Sequence, residues 1–546
     1  MATTTSATSV SGPSGGLCAV RGGGPPAAPA AKPGVGFTSR EAYRFEGSPG
    51  PTGAAVQLFE VDIDVTPDTV LSYALFPDFT AGDLAYLATY TAVDLAFADG
   101  GRLSDLEVLD QHGVVLTARG QGEAKTLSVD QWNLRRARIG AVAAGRTVHA
   151  VLVSCEAHDG SGWVSGWVDD IRIEERPAEP GPARLSEHVV TTRGTHSSGE
   201  FSRGNTIPAT AVPHGFNFWT PVTDAGSLSW VYEYHRANNA DNRPELQAFA
   251  LSHQTSPWMG DRQTFQVMPS SAEGAPDGDR AARALAFGHD AEIARPHHYA
   301  VTFDDGIRTE IAPTDHAAMF RFTFPGDIST LLFDNVTGEA GLTLHPDRNT
   351  VTGYTDVRSR LSNGATRMFV HATFDQRFIA SGRPTGTGDR REASGYVRFD
   401  TSASRTVVMR IATSLLSLEQ AERNLALELG PDESFEEVRE RAQRQWDDKL
   451  GVIEVEGASE DQLVTLYSNL YRLFLYPNSA YENIGTAAEP VHAHAVQSSV
   501  TTPRSTPSAT GARVVPGKVF VNNGFWDTYR TTWPAYALLT PGSAGE

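Results

Sequence analysis

Cysteine is almost missing from this chain. Two residues among 546, Cys18 and Cys155, cannot build a disulfide framework, and without a CxxC pair or a Cys/His cluster no structural zinc site is expected. Long apolar runs are lacking too: nowhere do eighteen apolar residues follow one another, which excludes a membrane-spanning helix. Positive charge is in deficit, with 45 Lys and Arg against 65 Asp and Glu. The resulting charge of −20 is spread along the chain, and a surface of that sign repels nucleic acid and anionic lipid. The opening residues, MATTTSATSVSGPSGGLCAVRGGGPPAAPAAKPG, carry neither a basic n-region nor an apolar h-region, so no signal peptide is visible.

What is present is apolar material for several cores, at 40% of residues, in a chain long enough for about three domains. Residues 1–36 are Gly, Pro, Ala, Ser and Thr and are predicted to be a disordered low-complexity tail, unable to bury enough to offset chain entropy. From 37 to 175 short runs alternate at period two: VQLFEVDIDV, TVLSYALFP, YTAVDLAFA, HAVLVSCEA and GWVDDIRIEE. Such runs, punctuated by Gly, Pro and Asp, predict a jelly-roll-like antiparallel β-sandwich. Its last run resembles the closing strand of jelly-roll carbohydrate-binding modules, which makes 37–175 a candidate module of that kind. Asp169 and Asp170 are placed either to hold a structural calcium or to form an exposed acidic edge. Trp163 and Trp167 suit either a sugar site or the core.

A Pro-rich linker at 176–184 leads to a second alternating region, 185–414, and then the period changes. Phe435, Val438, Ala442 and Trp446 recur at helical spacing, as do Leu463, Leu466, Leu470 and Phe474. Ser417 set against Gln420, Ser434 against Glu437 and Ser459 against Gln462 mark three helix starts. The fold class is therefore multidomain, mainly β and then α, with a helical linker over 415–460.

Residues Val521 to Pro534, VNNGFWDTYRTTWP, gather Trp526, Asp527, Tyr529, Arg530 and Trp533 behind Gly524. A ring offers a platform to the C–H face of a sugar, and a carboxylate and a guanidinium beside it can each take a pair of vicinal hydroxyls. The same residues also suit a helix start, with Asp527 as N-cap, Arg530 as its ion partner and both tryptophans in core.

GFWDTYRTTWP resembles the GWDT-(F/Y)-R…P signature of glycoside hydrolase family 92, the calcium-dependent, inverting exo-α-mannosidases. GNTIPATAVPHG at 204–215 and AFALSHQTSPWMGDRQTFQVMP at 248–269 are similar to further blocks of that family. Tyr299 to Phe324, Arg367 to Phe378 and Tyr467 to Asn478 continue the match in order. The resemblance covers about 185 to the C-terminus. It implies a β-supersandwich over 185–414 and the start of an (α/α)6 catalytic barrel over 461–546. The implied activity is hydrolysis of terminal α-mannosides with inversion, with Ca2+ as cofactor. Mannose-containing oligosaccharides or glycoproteins, N-glycans among them, would be the partners, and an extracellular or periplasmic location is implied.

By the same resemblance Trp526 and Asp527 contact the terminal mannose, with Arg530 behind the carboxylate. Asn205, Trp219, His253, Trp258 and Asp261 are the candidates from the β-region for the same pocket. A lone strand histidine is more often structural, whereas Trp258, between Pro257 and Gly260, is harder to explain by packing. Ala209 and His214 depart from the family pattern, which bears on linkage preference. A barrel of twelve helices needs roughly 250 to 350 residues, and fewer than ninety follow Asp461. The catalytic acid and base are therefore unknown here and expected beyond Glu546, as are most metal ligands, and the chain by itself is expected to be inactive. Two other readings are a non-catalytic carbohydrate-binding β-sandwich protein and a purely structural surface protein.

Overall fold

The computed structural model describes residues 16–50, 52–156, 162–177, 181–201, 204–359, 366–496, 504–521 and 524–546. They form two compact units, Met1–Gly181 with His235–Arg243, and Pro182–Tyr234 with Pro244–Glu546.

In the first unit, five strands run in the order Gly16–Gly22, Ala42–Ser48, Val164–Glu175, Thr69–Pro77, Asn133–Ala137, and three in the order Ala54–Asp64, Thr147–Cys155, Thr91–Phe97. Alternation puts Phe45, Leu71 and Leu75 of the first sheet and Val93, Leu95, Val151 and Val153 of the second into one shared core. The expected tail does not hold over 16–36. Gly16–Gly22 pairs along its length with Ala42–Ser48, and Ala28, Ala30 and Ala31 are buried. The Lys32 amide donates to Nδ1 of His235, at 2.9 Å, in the same unit. Alanine and glycine lose almost no side-chain entropy when buried, so a stretch poor in large residues can still be ordered against a larger surface. Residues 1–15 lie outside the described residues.

The paired acids of the last strand have partners within the fold. Oδ2 of Asp169 accepts from the backbone N–H groups of Phe37 (2.7 Å) and Thr38 (3.2 Å), and Asp170 pairs with Arg172 at 2.7 Å. Trp167 is core, edge-on to Phe76 at 5.8 Å, while Trp163 is exposed.

The second unit wraps a nine-stranded and a six-stranded antiparallel sheet around one core. Phe249, Phe265, Leu331 and Phe333 of the smaller sheet join Tyr299, Phe320, Val370 and Ile411 of the larger. Three helices follow, Leu418–Glu428, Phe435–Leu450 and Glu460–Leu473. Ser434 and Ser459 form the reciprocal boxes with Glu437 and Gln462. At Ser417 the box is half made: its side chain accepts from the Gln420 N–H, but the Gln420 amide turns to Asn424 and to the Asn483 carbonyl. Phe435, Val438, Ala442 and Trp446 are all buried, and Trp446 donates Nε1–H to the Ala211 carbonyl at 2.6 Å. Beyond Leu473 the described chain makes short strands, among them Glu482–Asn483, His492–Ala495 and Val514–Pro516 in one small sheet, before the short helices Phe525–Thr528 and Thr532–Leu539.

Candidate functional site

Asn478 and Ser479 pair with Val521 and Phe520, which delivers the chain to Gly524 and the tryptophan-rich stretch. Tyr536 anchors the second of the two short helices: buried to 3% exposure, it donates its hydroxyl to the carbonyls of Leu473 and Tyr476. The first helix leaves Trp526 at 74% exposure. The Arg530 guanidinium sits 5.7 Å from the centre of the Trp526 ring and 5.0 Å from that of Tyr529, within cation–π range. Tyr529 and Trp533 are exposed as well. Placing both tryptophans in the core is thereby overturned. So is Asp527 as N-cap: the residue lies inside Phe525–Thr528, and Thr531 occupies the N-cap of Thr532–Leu539. The side chain of Asp527 is outside the described residues.

A second loop, from Ser252 to Thr264, is tied to this segment through Tyr476. The Tyr476 hydroxyl donates to the Gln254 carbonyl, and its own carbonyl accepts from Tyr536. Inside the loop, Oδ1 of Asp261 accepts from the N–H groups of His253 (2.8 Å) and Arg262 (2.7 Å). Burial pushes the Asp261 carboxyl up to about 6, against the pull of those donors. Burial first, then the Arg262 charge, push the His253 imidazole down to about 3, so it is neutral. Its Nδ1 faces the Arg262 carbonyl at 3.2 Å, and its ring lies 4.6 Å from that of Phe216. Both side chains are closed to solvent and hold the loop rather than reach a ligand. Trp219 is likewise corrected from ligand contact to core: every residue of Phe218–Val222 is buried, and its ring meets Phe320 edge-on at 5.1 Å. Trp258 projects at 58% exposure, edge-on to Trp230 at 4.7 Å. Asn205 is half-buried in a left-handed conformation, φ 48°. Tyr476 thus links the loop at Gln254 to Tyr536, Trp258 and Trp526 are exposed, and Trp219, His253 and Asp261 are buried.

A charged group missing from the sequence candidates shares Phe216 with His253 and meets Ser479. Asp315 and His316 form the turn between Arg308–Pro313 and Ala317–Thr323. Oδ1 of Asp315 accepts from the Phe216 N–H (2.6 Å) and the Ser479 hydroxyl (2.7 Å), and 37% of its side chain meets solvent. Nδ1 of His316 is 3.0 Å from Oε1 of Glu428. The other oxygen of Glu428 accepts from the Thr314 hydroxyl (2.5 Å) and the N–H groups of His316 (2.8 Å) and Ala317 (3.1 Å). Burial alone would lower the His316 pKa; the adjoining Asp315 charge and the bond to Glu428 outweigh it and raise it to about 10. Glu482, buried nearby, is pushed up by burial while accepting from the Leu415 N–H and the Asn424 amide. One signal in the sequence pointed here: Glu428 is the last residue of its helix, where the dipole disfavours a carboxylate that has no cation of its own.

Asp315, His316 and Glu428 are the group among the described residues whose spacing could hold a metal. It does not fit calcium, which takes roughly six to eight oxygen ligands. One of its members is an imidazole, and Glu428 is engaged by a hydroxyl, two amides and that imidazole.

Comparison with known proteins turns this arrangement into a class. The profile of the glycosyl hydrolase family 92 N-terminal domain matches residues 188–414, and that of the family's catalytic domain matches 420–546. An inverting mannosidase of family 92 from Bacteroides thetaiotaomicron is 30% identical, with a TM-score of 0.57, over 66% of this chain and 46% of its own. A family 92 α-mannosidase from the same organism, solved with mannoimidazole, shares the fold at 23% identity and a TM-score of 0.50, over 65% of this chain and 46% of its own. An uncharacterized secreted glycosidase of Arthroderma benhamiae is 27% identical over 230 residues, 36% of this chain and 30% of that protein. The second unit is that of a glycoside hydrolase. With the two profiles together matching 188–414 and 420–546, the chain belongs to glycosyl hydrolase family 92. It spans less than half the length of each of these relatives. The catalytic-domain match over 420–546 gives no support to the expectation of an inactive chain. No helix among the described residues is long and apolar enough to cross a membrane.

Proposed function

We propose that this protein is an exo-acting α-mannosidase that removes terminal α-mannose with inversion, and that the Trp526 segment holds the sugar being released. The observation that carries the reading is the Trp526 ring, 74% exposed beside Arg530 in a stretch matched by the catalytic-domain profile. Its flat face stacks on the C–H face of the mannose, while Arg530 and, by the family resemblance, Asp527 take vicinal hydroxyls. Trp258, braced by Trp230, receives the next sugar. Asp261 and His253 shape the loop that carries Trp258, and Asn205 contributes from the Gly204 turn.

Inversion needs one carboxylic acid to protonate the leaving oxygen and one carboxylate across the sugar to activate water. No residue of this chain is assigned to either role. Calcium, implied by the family resemblance, would polarise sugar hydroxyls when bound, but the Asp315, His316 and Glu428 group does not suit it and no step is drawn through it. An (α/α)6 barrel beginning near Asp461, and mannose-containing oligosaccharides or glycoproteins met outside the cytoplasm, complete the reading. The secreted description of the fungal relative supports the location.

A linear α-mannotetraose followed by chromatography tests this reading. Mannose and the trisaccharide are the expected first products. Disaccharide as the first product, ahead of trisaccharide and mannose, would contradict exo action, and equal turnover of an α-glucoside would contradict the sugar class.

A further inference from the structure

The first unit holds a set of exposed rings that its own core does not use. The loop leaving Thr69–Pro77 carries Phe79 at 39% and Tyr86 at 47% exposure, their centroids 6.0 Å apart and their planes inclined by 36°. The rings therefore offer adjoining flat faces rather than an edge-to-face contact. Leu84, on the same loop, is 84% exposed. Trp163, 53% exposed, leaves the sheet at the same end, because Pro77 pairs with Gly166 and the Asp78 N–H donates to the Ser165 carbonyl at 3.0 Å. Large apolar side chains gathered in solvent at one end of a sandwich mark a contact surface.

The loop is held in place by strained backbone and by carboxylates. Tyr86 has φ 55°, a left-handed conformation that bulky residues avoid. It is fixed there by the Asp83 carboxylate, which accepts from the N–H groups of Ala85 (2.9 Å) and Leu87 (2.7 Å), and by the Thr89 hydroxyl, which donates to the Tyr86 carbonyl at 2.7 Å. Asp130, at φ 56°, accepts the Phe79 N–H at 2.9 Å and donates its own N–H to the Pro77 carbonyl at 2.8 Å. Strained non-glycine residues concentrate where a ligand is held. Rings fixed in advance also lose little freedom when something binds them.

Charge narrows the ligand. Residues 77–90, 126–134 and 162–171 contain no Lys or Arg, while Asp78, Asp83 and Asp130 lie among the rings. An anionic chain or membrane is repelled from such a surface. Flat apolar faces interleaved with acceptors suit a neutral, hydroxyl-rich molecule, the C–H faces of its rings on the aromatics and its hydroxyls donating to the carboxylates. We infer that this end of the first unit binds a neutral oligosaccharide across Phe79 and Tyr86, as a retention site separate from the terminal-sugar site of the second unit.

The test is migration of the intact protein through native gels containing soluble α-mannan. The unaltered protein is expected to be retarded. Tyr86→Asn, whose side chain tolerates the left-handed backbone, and Phe79→Ala are expected to weaken the apparent affinity about tenfold or more, with unchanged melting temperature. Trp526→Ala, which removes the ring proposed to hold the terminal mannose, is expected to remain retarded, so failure of the mannosidase reading leaves this result standing. Absence of retardation in the unaltered protein, or equal retardation of the Tyr86→Asn and Phe79→Ala variants, overturns the inference. So does a dimer in sedimentation velocity that Tyr86→Asn dissolves, since the rings would then serve a second copy.

Discussion

Glu428→Ala is expected to lower the stability of the second unit by about 3 to 5 kcal/mol near neutral pH, the range for removing one partner of a buried, hydrogen-bonded charge pair. The carboxylate meets the His316 imidazole, the Thr314 hydroxyl and the N–H groups of His316 and Ala317, and of these the Ala317 N–H keeps a second acceptor in the Thr314 hydroxyl. In a domain of this size the melting temperature should fall by roughly 5 to 15 °C. The pH dependence separates this pair from ordinary packing. His316 binds its proton more tightly in the folded chain than in the unfolded one, so protonation favours folding. Its contribution is complete below the ordinary value of 6.5 and is lost as pH climbs to about 10. The groups that face it are Asp315, Glu428 and Glu482, with neutral His253 beyond Phe216. The gap in melting temperature between the unaltered protein and Glu428→Ala should therefore narrow between pH 7 and pH 10. A gap that stays constant would show that Glu428 acts by packing alone.

The helices were legible because their signals are local: a serine at each N-cap and apolar residues at helical spacing need no knowledge of the rest of the chain. The β-strands were legible through period-two alternation for the same reason. Residues 16–36 were not, because what orders them is pairing with Ala42–Ser48, which small residues do not advertise. The tryptophans divide the same way. Trp219 and Trp526 look alike in sequence, yet one lies in a strand buried on both faces and the other stands exposed on a four-residue helix beside Arg530. His316 and Glu428 escaped notice because they lie 112 residues apart and meet only through the fold. Over 461–546, where the resemblance implies the start of a barrel, the described residues form the helix Glu460–Leu473, then short strands, then the short helices Phe525–Thr528 and Thr532–Leu539.

Trp526→Ala carries the second large effect, on function rather than stability. The ring is 74% exposed, so its loss should change folding by no more than about 0.5 kcal/mol, as for most surface substitutions. If it stacks on the terminal mannose, kcat/KM for an α-mannoside should fall roughly tenfold to hundredfold, the range for removing an aromatic anchor. The pH optimum should not move, since an indole does not titrate. Arg530→Lys is the companion variant, keeping the charge and losing the paired donors that match vicinal hydroxyls. A Trp526→Ala protein with normal kinetics would remove this segment from the sugar site.

The proposal of an inverting mannosidase is tested most directly by following the anomeric proton of the first mannose released from an α-mannoside by NMR. The account predicts that β-mannose appears first and that the α-anomer grows in only through mutarotation. Initial appearance of the α-anomer, or no release of mannose at all, would contradict it.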